Sequence, residues 1–446
     1  MNSLTGHLMP IASENLKNQL NSLNIEEIQQ AINECITNKG AGALPESYVP
    51  ADYFPLTPVN DSQVKLYTEA KEIGEDAVKA GKVAAFTVAG GQGTRLGYDG
   101  PKGTLPVTPV KNKTLFQVFA EQILSFTEKF NVSIPWYIMC SPLNISATRQ
   151  YFEENKFFGL KSSDVKFFQQ GVMPATDFDG NLLRSSIDSL AFSPNGHGGS
   201  LKALIDSGSI ADMKRRGIEH ISYFQVDNPL ISIFNFLFIG LHIINNSDMS
   251  SRSLTKTGPK EKLGNFVISN NKLMIIEYSD LPDEKAHETD ESGRLKYRAG
   301  SPAIHLMRRD FIEKFADDTL NLPWHRAEKK VPFIDENNNK VEPETPNAVK
   351  FESFVFDALP LAQNPIILEA DRAEEFSPVK NKSGVDSLES SQKDQIAKAY
   401  RWLKKAGYKV EDGAEIEISL KHHSTDDLKM ASVPEILKSG EKYYID

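Results

Sequence analysis

The stretch Ala89-Gly90-Gly91-Gln92-Gly93-Thr94-Arg95-Leu96-Gly97 decides how this chain is interpreted. It directly follows the apolar run 83–88, which predicts a buried β-strand. Glycines after a strand let the backbone approach a ligand closely, and their N–H groups form a concavity that binds anions. Arg95 adds a cation suited to paired hydrogen bonds with phosphate, and Lys102 lies a short distance downstream. The stretch therefore predicts a phosphate-binding loop.

This loop differs from two common phosphate-binding motifs. It contains no Gly-Lys-Ser/Thr of a Walker A loop, and it lacks the G-x-G-x-x-G spacing of dinucleotide-binding proteins. A glycine-rich turn between a strand and a helix, without any ligand, is the alternative interpretation. The combination of strand, glycines, Arg95 and Lys102 favours phosphate binding.

Length and composition predict a soluble globular protein of two or three domains. The chain has 446 residues, a net charge of −10 and a pI of about 5.5. This acidity argues against a nucleic-acid partner, and no apolar run reaches the length of about 20 residues that a membrane helix needs. Cys35 and Cys140 are the only cysteines of the sequence and do not make a disulfide framework or a metal motif. We therefore expect a cytoplasmic protein.

The order of apolar and amphipathic segments predicts an α/β fold. Short apolar runs alternate with helical patterns up to about residue 248, which is typical of a parallel sheet covered on both faces. Beyond that point the pattern becomes antiparallel, with a hairpin turn at Asn270-Asn271. The predicted strands are 83–88, 135–141, 165–170 and 220–226, and the predicted helices are 114–130, 146–157 and 201–216.

We predict three parts: a helical N-terminal region (1–80), a catalytic core (81–364) and a small α+β C-terminal domain (365–446). The C-terminal domain is expected to contain a strand at 366–370 and a helix at 391–406. The polar run 381–393 is interpreted as a flexible connection.

Several motifs, taken in order, resemble the UDP-sugar pyrophosphorylase (UDPGP) family, most closely its eukaryotic-type UDP-N-acetylglucosamine pyrophosphorylases. The resemblance implies a Rossmann-like, GT-A-like nucleotidyltransferase core with a mixed sheet. The motifs after the glycine loop are Pro101-Lys102-Gly103, Phe167-Phe168-Gln169-Gln170-Gly171, Asn195-Gly196-His197-Gly198-Gly199, Val226-Asp227-Asn228, Glu277-Tyr278-Ser279, Phe354-Val355-Phe356-Asp357 and Glu375-Phe376-Ser377-Pro378-Val379-Lys380-Asn381.

By this resemblance, the substrates are UTP and a sugar 1-phosphate, and the products are a UDP-sugar and pyrophosphate. Arg95, Lys102 and Lys380 are the expected catalytic cations. Asp227 is expected to hold Mg²⁺ (or Mn²⁺), because a carboxylate after a parallel strand suits a metal bound between phosphate oxygens. The implied nucleotide-binding residues are Ala89, Gly90, Gly91, Gly93, Thr94, Gln170, Gly196, Asp227 and Lys350.

The implied sugar-binding residues are His197, Gly264, Glu277, Tyr278, Ser301, Phe354 and Phe356. His197 and Ser301 replace asparagines of the N-acetylglucosamine enzymes, and the Gly-His-Gly form is closer to the UDP-glucose and broad-specificity enzymes. The other five match the N-acetylglucosamine pattern. N-acetylglucosamine 1-phosphate is therefore slightly favoured, and glucose 1-phosphate or a broad sugar range stays open.

Two further classes of function are less consistent with the sequence. A nucleotide-binding regulator that has lost the chemistry would be favoured by loss of Lys102, Asp227 or Lys380, and all three are present. An enzyme that uses another nucleotide base is disfavoured through the resemblance alone, which implies that Gln170 reads the uracil; a glutamine amide offers a donor and an acceptor to a uracil edge.

Overall fold

The computed structural model describes residues 3–6, 8–9, 12–38, 44–316, 321–430 and 432–446. The chain forms two compact units. The smaller unit combines Met1–Ser47, Gln170–Ala203 and Lys314–Leu361, and the larger combines Tyr48–Gln169, Leu204–Glu313 and Ala362–Asp446. Residues 1, 2, 7, 10, 11 and 39–43 of the predicted N-terminal region lie outside the described residues. The predicted three-part division of the chain stays a prediction.

The α-helices in the described part of the chain are α1 (Ser3–Gly6), α2 (Glu14–Ser22), α3 (Ile25–Ile32), α4 (Asp61–Lys79), α5 (Leu115–Phe130), α6 (Ile145–Glu154), α7 (Gly199–Asp206), α8 (Ser209–Arg215), α9 (Phe236–Ile244), α10 (Asp283–His287), α11 (Arg309–Glu313), α12 (Arg372–Glu375) and α13 (Leu388–Ala406).

The strands in the same residues are β1 (Val49–Pro50), β2 (Val83–Val88), β3 (Trp136–Cys140), β4 (Val165–Gln169), β5 (Val172–Pro174), β6 (Arg184–Ser186), β7 (Ser189–Leu190), β8 (Phe192–Pro194), β9 (His220–Gln225), β10 (Met249–Thr255), β11 (Gly264–Ser269), β12 (Lys272–Ile276), β13 (Ala299–Ser301), β14 (His305–Arg308), β15 (His325–Lys329), β16 (Phe333–Ile334), β17 (Lys340–Val341), β18 (Ala348–Glu352), β19 (Ile366–Glu369), β20 (Lys409–Val410), β21 (Glu415–Ile418), β22 (Ile436–Leu437) and β23 (Lys442–Ile445).

A mixed sheet of eleven strands, counted over the described residues, organises the larger unit. Its order is β1-β11-β13-β10-β14-β9-β2-β3-β4, with β12 paired to β11 and β19 paired to β10. Strands β9, β2, β3 and β4 run parallel, and β14 joins β9 antiparallel. Strands β2 and β3 are almost entirely buried, as expected for strands covered on both faces. The predicted α/β fold with a mixed sheet is confirmed.

Helix α5 covers the centre of this sheet with aromatic side chains. It begins after Thr114, whose hydroxyl accepts a hydrogen bond from Gln117 N, and it ends at Asn131 in the left-handed region. Phe119 packs edge-on against Phe224 of β9, with ring centroids 5.0 Å apart. Full burial of such a side chain contributes about 2–3 kcal/mol, so this contact holds α5 firmly against the strands.

The smaller unit has its own apolar core. Helices α2 and α3 bury Leu16, Leu20 and Ile28 against residues of β18, including Val349 and Phe351. Asn24, the residue before α3, caps this helix, since its side chain accepts a hydrogen bond from the Glu27 amide.

Two features of the fold differ from the sequence-based expectation. The helix predicted at 201–216 is two helices, α7 and α8, separated by Gly208 at φ +71°. The strand predicted in the C-terminal domain, β19, instead pairs parallel with β10 of the large sheet. By contrast, the predicted hairpin is confirmed, because Asn270 and Asn271 both have positive φ between β11 and β12.

The prediction of a flexible connection at 381–393 is wrong for residues 388–393, which are helical. Helix α13 begins at Leu388, and Ser387 with Ser390 forms a reciprocal capping box at its start. The capping satisfies backbone N–H groups that would otherwise lack partners, which is why a polar stretch begins a helix here.

Within the described residues, no helix combines the length and the apolar character needed to span a bilayer.

Two buried histidines make the larger unit sensitive to acid. His220 of β9 and His242 of α9 have ring centroids 5.2 Å apart, and His242 Nδ1 lies 2.7 Å from Ser250 Oγ. Burial lowers the pKa of His220 to about 4 and lowers the pKa of His242 well below its usual value. The unfolded chain binds these protons at a higher pH than the folded chain does. The free energy of unfolding is therefore undiminished by these histidines above a pH of about 6.5, and it decreases as the pH falls towards 4.

Lowering the pH from about 7 to about 5 is therefore expected to lower the free energy of unfolding by up to about 2 kcal/mol for each of these histidines. Urea unfolding followed by circular dichroism at the two pH values measures the loss. His220→Phe, which removes one titrating ring, should reduce it, whereas exposed His287→Ala should not change it. An equal loss in wild type and His220→Phe would contradict the prediction.

Candidate active site

The predicted phosphate loop folds back on itself after β2. Ala89 N donates to Met139 O of β3 (2.8 Å), so the loop starts from a fixed strand end. Gly93 N then donates to Gly100 O (2.9 Å), and Lys102 N donates to Gly91 O (3.1 Å). These bonds return the chain to the glycines and place Lys102 beside them.

Glycine is required at two positions of this loop by its packing. A Cβ atom at Gly93 would lie 2.7 Å from the Tyr98 ring, and one at Gly103 would lie 2.1 Å from the Phe116 ring. Gly103, the residue after Lys102, therefore packs closely against Phe116 of helix α5. The position of Lys102 follows from this close approach.

Asn144 holds the loop from the other side and was missed by sequence reasoning. This asparagine is fully buried, and its Nδ2 donates to Ala89 O (2.9 Å) and to Gly91 O (3.3 Å). Its Oδ1 accepts from Ser141 N (2.9 Å), which also fixes the end of β3. The available signal was its position just before α6, but an asparagine there is explained equally well as a helix cap.

The carboxyl ends of β2 and β9 bring Lys102 and Asp227 together. The two strands are parallel neighbours, with Val88 opposite Gln225. Asp227 therefore follows β9 at the level where the glycine loop follows β2. Lys102 Nζ lies 3.4 Å from Asp227 Oδ2, and the two side chains are only 15% and 12% exposed. Because both side chains are mostly buried, water screens their charges weakly.

The segment that carries Lys380 runs beside Asp227. Val379 N donates to Asp227 O (2.8 Å), and Lys380 N donates to Asp386 O (2.6 Å). Burial raises the pKa of Asp386, the charge of Lys380 lowers it and that of Asp227 raises it again, so these three charges lie near one another. The Lys380 side chain itself is exposed.

Arg95 and Thr94 lie on a 3₁₀ turn, Thr94–Leu96, and both side chains are exposed. The end of this turn approaches the Lys380 segment, because a Cβ atom at Gly97 would lie 3.9 Å from Lys382 Cε. The structure thus brings Lys102 into contact with Asp227, and Asp227 into contact with the backbone of Val379, the residue before Lys380. The Arg95 side chain is exposed on the adjoining turn.

Asp227 fits a metal ion that is shared with a substrate. In the described residues, no group of three or more His, Cys, Asp or Glu side chains forms a metal cage. Mg²⁺ is commonly held by one or two carboxylates together with substrate phosphates, and it keeps several waters. A single carboxylate beside the phosphate loop matches this type of site. The metal site stays a prediction.

Gln170 and Gly196, predicted to contact the base, lie against each other in the smaller unit. Gln170 Nε2 donates to Gly196 O (2.8 Å), which fixes the direction of the amide and directs its oxygen away from that bond. Gly196 has φ +81°, and a Cβ atom there would lie 2.3 Å from Ser353 O. Only glycine satisfies both constraints. Lys350 lies on β18 opposite Ala327 and is partly buried.

His197 is held as a neutral hydrogen-bond donor. Val355 N donates to His197 Nδ1 (3.1 Å), so the ring proton is on Nε2. Burial, followed by the charge of His325, lowers the pKa of His197 to about 4. At neutral pH this side chain therefore offers an N–H group, as the amide of an asparagine would.

An aromatic cluster surrounds His197. The ring of Phe354 stacks on His197 at 5.3 Å, and Phe356 lies 5.1 Å from Phe354. His325, which sequence reasoning missed, packs 4.4 Å from Phe354 and its Nε2 lies 2.8 Å from Asp357 Oδ2. No local motif marks His325; the chain only brings it here by pairing β15 with β18.

The remaining predicted sugar-binding residues lie in the larger unit. Gly264 of β11 is the register partner of Ser301 of β13. A Cβ atom at Gly264 would lie 2.5 Å from Ile275 and 3.8 Å from Glu277 Oε1, so a glycine keeps this place open. Tyr278 is 44% exposed. Three of the four are thus adjacent, and their roles stay predictions.

Comparison with known proteins identifies the family. Residues 51–438 match the model of the UTP–glucose-1-phosphate uridylyltransferase family. The chain belongs to this family. Membership confirms the resemblance and the enzyme class predicted from the sequence: a nucleotidyltransferase of the UDP-sugar pyrophosphorylase type.

Two relatives and one solved structure illustrate the match. The chain is 36% identical to the UDP-N-acetylglucosamine pyrophosphorylase of Saccharomyces cerevisiae, over 89% of this chain and 85% of the yeast protein. It is 32% identical to UDP-N-acetylglucosamine diphosphorylase 2 of Arabidopsis thaliana, over 91% of this chain and 82% of the plant protein. The crystal structure of the uridine diphosphate N-acetylglucosamine pyrophosphorylase of Trypanosoma brucei has the same fold, with a TM-score of 0.82 at 23% identity over 97% of this chain and 94% of that one.

Proposed function

We propose that this protein joins UTP and N-acetylglucosamine 1-phosphate to form UDP-N-acetylglucosamine and pyrophosphate. The observation that carries the proposal is the Lys102–Asp227 pair at the carboxyl ends of two adjacent parallel strands, beside a glycine loop. Ligands of open α/β sheets bind at this edge. A cation and a carboxylate placed together there suit a nucleoside triphosphate bound with a divalent metal.

The reaction needs position and charge more than acid–base catalysis. A phosphate oxygen of the sugar phosphate, already ionised near neutral pH, attacks the α-phosphorus of UTP. The bond from that phosphorus to the bridging oxygen breaks, and pyrophosphate leaves with the electron pair. Repulsion between the two anions opposes the approach, so fixed cations that align the groups provide most of the catalysis.

Each predicted cation has a distinct place around this reaction. Lys102 is held by the loop backbone, Lys380 follows Val379, whose N–H group donates to the Asp227 carbonyl, and Arg95 lies on the adjoining turn. At about 4 Å and an effective dielectric constant near 20, one unit charge interacts with another by about 4 kcal/mol. Mg²⁺ (or Mn²⁺), held by Asp227 and phosphate oxygens, would supply further positive charge. No protein nucleophile is required.

The relatives named as UDP-N-acetylglucosamine pyrophosphorylases support the choice of sugar. The Phe354 and Phe356 rings offer an apolar wall that suits the methyl of an N-acetyl group. His197 in place of asparagine supports a second candidate, glucose 1-phosphate or a broad sugar range. Its neutral Nε2–H group nevertheless preserves a donor, which is why we prefer N-acetylglucosamine 1-phosphate.

Initial rates with UTP and a panel of sugar 1-phosphates test this proposal. We expect kcat/KM for N-acetylglucosamine 1-phosphate to exceed that for glucose 1-phosphate by about 10-fold or more, since a buried contact with one extra group is worth about 1–3 kcal/mol. CTP and ATP in place of UTP serve as base controls. Equal rates with both sugars would show that the aromatic wall does not select, and faster turnover of glucose 1-phosphate would establish the second candidate.

We also propose a cytoplasmic location, supported by the two buried free cysteines.

A further inference from the structure

The segment 376–381, here called the lysine segment, contains no helix or strand, yet it is held by a dense set of hydrogen bonds. A lysine has a flexible stem, so the place its ammonium group reaches depends on where its backbone is held. The contacts that fix this segment therefore decide whether Lys380 meets a bound phosphate.

Asn228, the residue after Asp227, holds the start of the lysine segment. Its Nδ2 donates to Glu375 O (2.7 Å), and its Oδ1 accepts from Ser377 N (3.0 Å). The side chain is 5% exposed, so water competes little for these bonds. Together with the bond from Val379 N to Asp227 O, they join the loop after β9 to the lysine segment at Ser377 and Val379 and to Glu375 just before it.

Helix α13 holds the same segment from the other side. Ser377 Oγ donates to Asp394 Oδ2 (2.6 Å), and Ser391 Oγ donates to Ser377 O (2.9 Å). Hydrogen bonds to a carboxylate are shorter and stronger than those between neutral groups. Helix α13 is itself tied to the main fold, because Gln395 Nε2 donates to Val107 O (3.0 Å).

We propose that Asn228 and the Ser377–Asp394 pair are positioning residues that place Lys380 for uridylyl transfer, so that helix α13 takes part in the function of the active site. The inference rests on the proposed function and names a task for the C-terminal helix within it. Asp394 and Asn228 both contact Ser377, so they act on Lys380 through the lysine segment. A displacement of about 1 Å at such a group is enough to lower a rate by up to about 100-fold.

The test compares the same substitution in two backgrounds. Asp394→Ala is expected to lower kcat/KM for UTP by about 10-fold in the wild-type chain and by less than about 2-fold in Lys380→Ala. Asp394→Asn keeps the side-chain volume and an acceptor oxygen and should retain nearly full activity. Ser377→Ala, which removes only the donor hydroxyl, should behave as Asp394→Ala does, and it replaces that variant if Asp394→Ala does not fold.

Lys393→Ala is the matched control, since its exposed side chain pairs with Glu389 on the same helix, α13, and its loss should leave activity unchanged. A purely structural role of Asp394 would lower activity by the same factor in both backgrounds, and this result would overturn the inference. So would full activity of Lys380→Ala, because there would then be no lysine to position. A wild-type chain that forms no UDP-sugar would instead overturn the proposed function, so the two failures are distinct.

Discussion

Lys102→Ala is expected to lower kcat by about 100- to 1000-fold, the usual loss when one fixed group that stabilises developing charge is removed. Lys102 is the only one of the three predicted cations that the structure pairs with Asp227, within the part of the chain it describes. Its loss removes positive charge where the two substrate anions must meet. Steady-state rates with saturating UTP and N-acetylglucosamine 1-phosphate measure the effect.

A lysine at the other end of strand β2, away from the glycine loop, provides the control. Lys82 precedes β2, is exposed and pairs with Glu219, so Lys82→Ala should leave kcat within about 2-fold of wild type. Because Lys102→Ala also leaves the buried Asp227 without its cation, a thermal melt should accompany the kinetics. Unchanged turnover in both Lys102→Ala and Arg95→Ala would eliminate the proposed charge-based mechanism.

Removal of divalent cations is expected to abolish activity, and added Mg²⁺ should restore it. Asp227→Asn keeps the shape of the side chain but removes the negative charge that would hold the ion. We therefore expect kcat/KM to fall by about 100-fold or more and the Mg²⁺ concentration for half-maximal rate to rise. Initial rates across a Mg²⁺ titration, after dialysis against EDTA, measure both quantities.

Asp76→Asn on the exposed face of α4 is the matched control and should titrate with Mg²⁺ as the wild type does. Turnover that persists in EDTA, or an unchanged Mg²⁺ titration in Asp227→Asn, would refute the metal-binding role of Asp227. Asp227→Asn also removes the ion pair with Lys102, but the neutral amide still accepts a hydrogen bond from the ammonium group, so Lys102 keeps a partner.

Local patterns in the sequence predicted much of what lies close together along the chain. The strand before the glycine loop, β2, has the predicted bounds, because a run of buried apolar residues between polar flanks has few other stable conformations. The turn at Asn270-Asn271 formed as expected, since asparagine tolerates the positive φ that such a turn requires. Lys102 and Asp227 were predicted from motifs that each span only a few residues.

The amino-acid sequence by itself thus determined the fold class and the family, because each depends on short-range periodicity or on contiguous residues. The tertiary structure alone decided that β19 joins the large sheet and that Asn144, Asn228 and Asp394 hold the loops of the site. A single buried polar side chain has no periodicity, and its hydrogen-bond partner lies far away along the chain. Only the packing of the strands and helices shows which backbone groups such a side chain must satisfy.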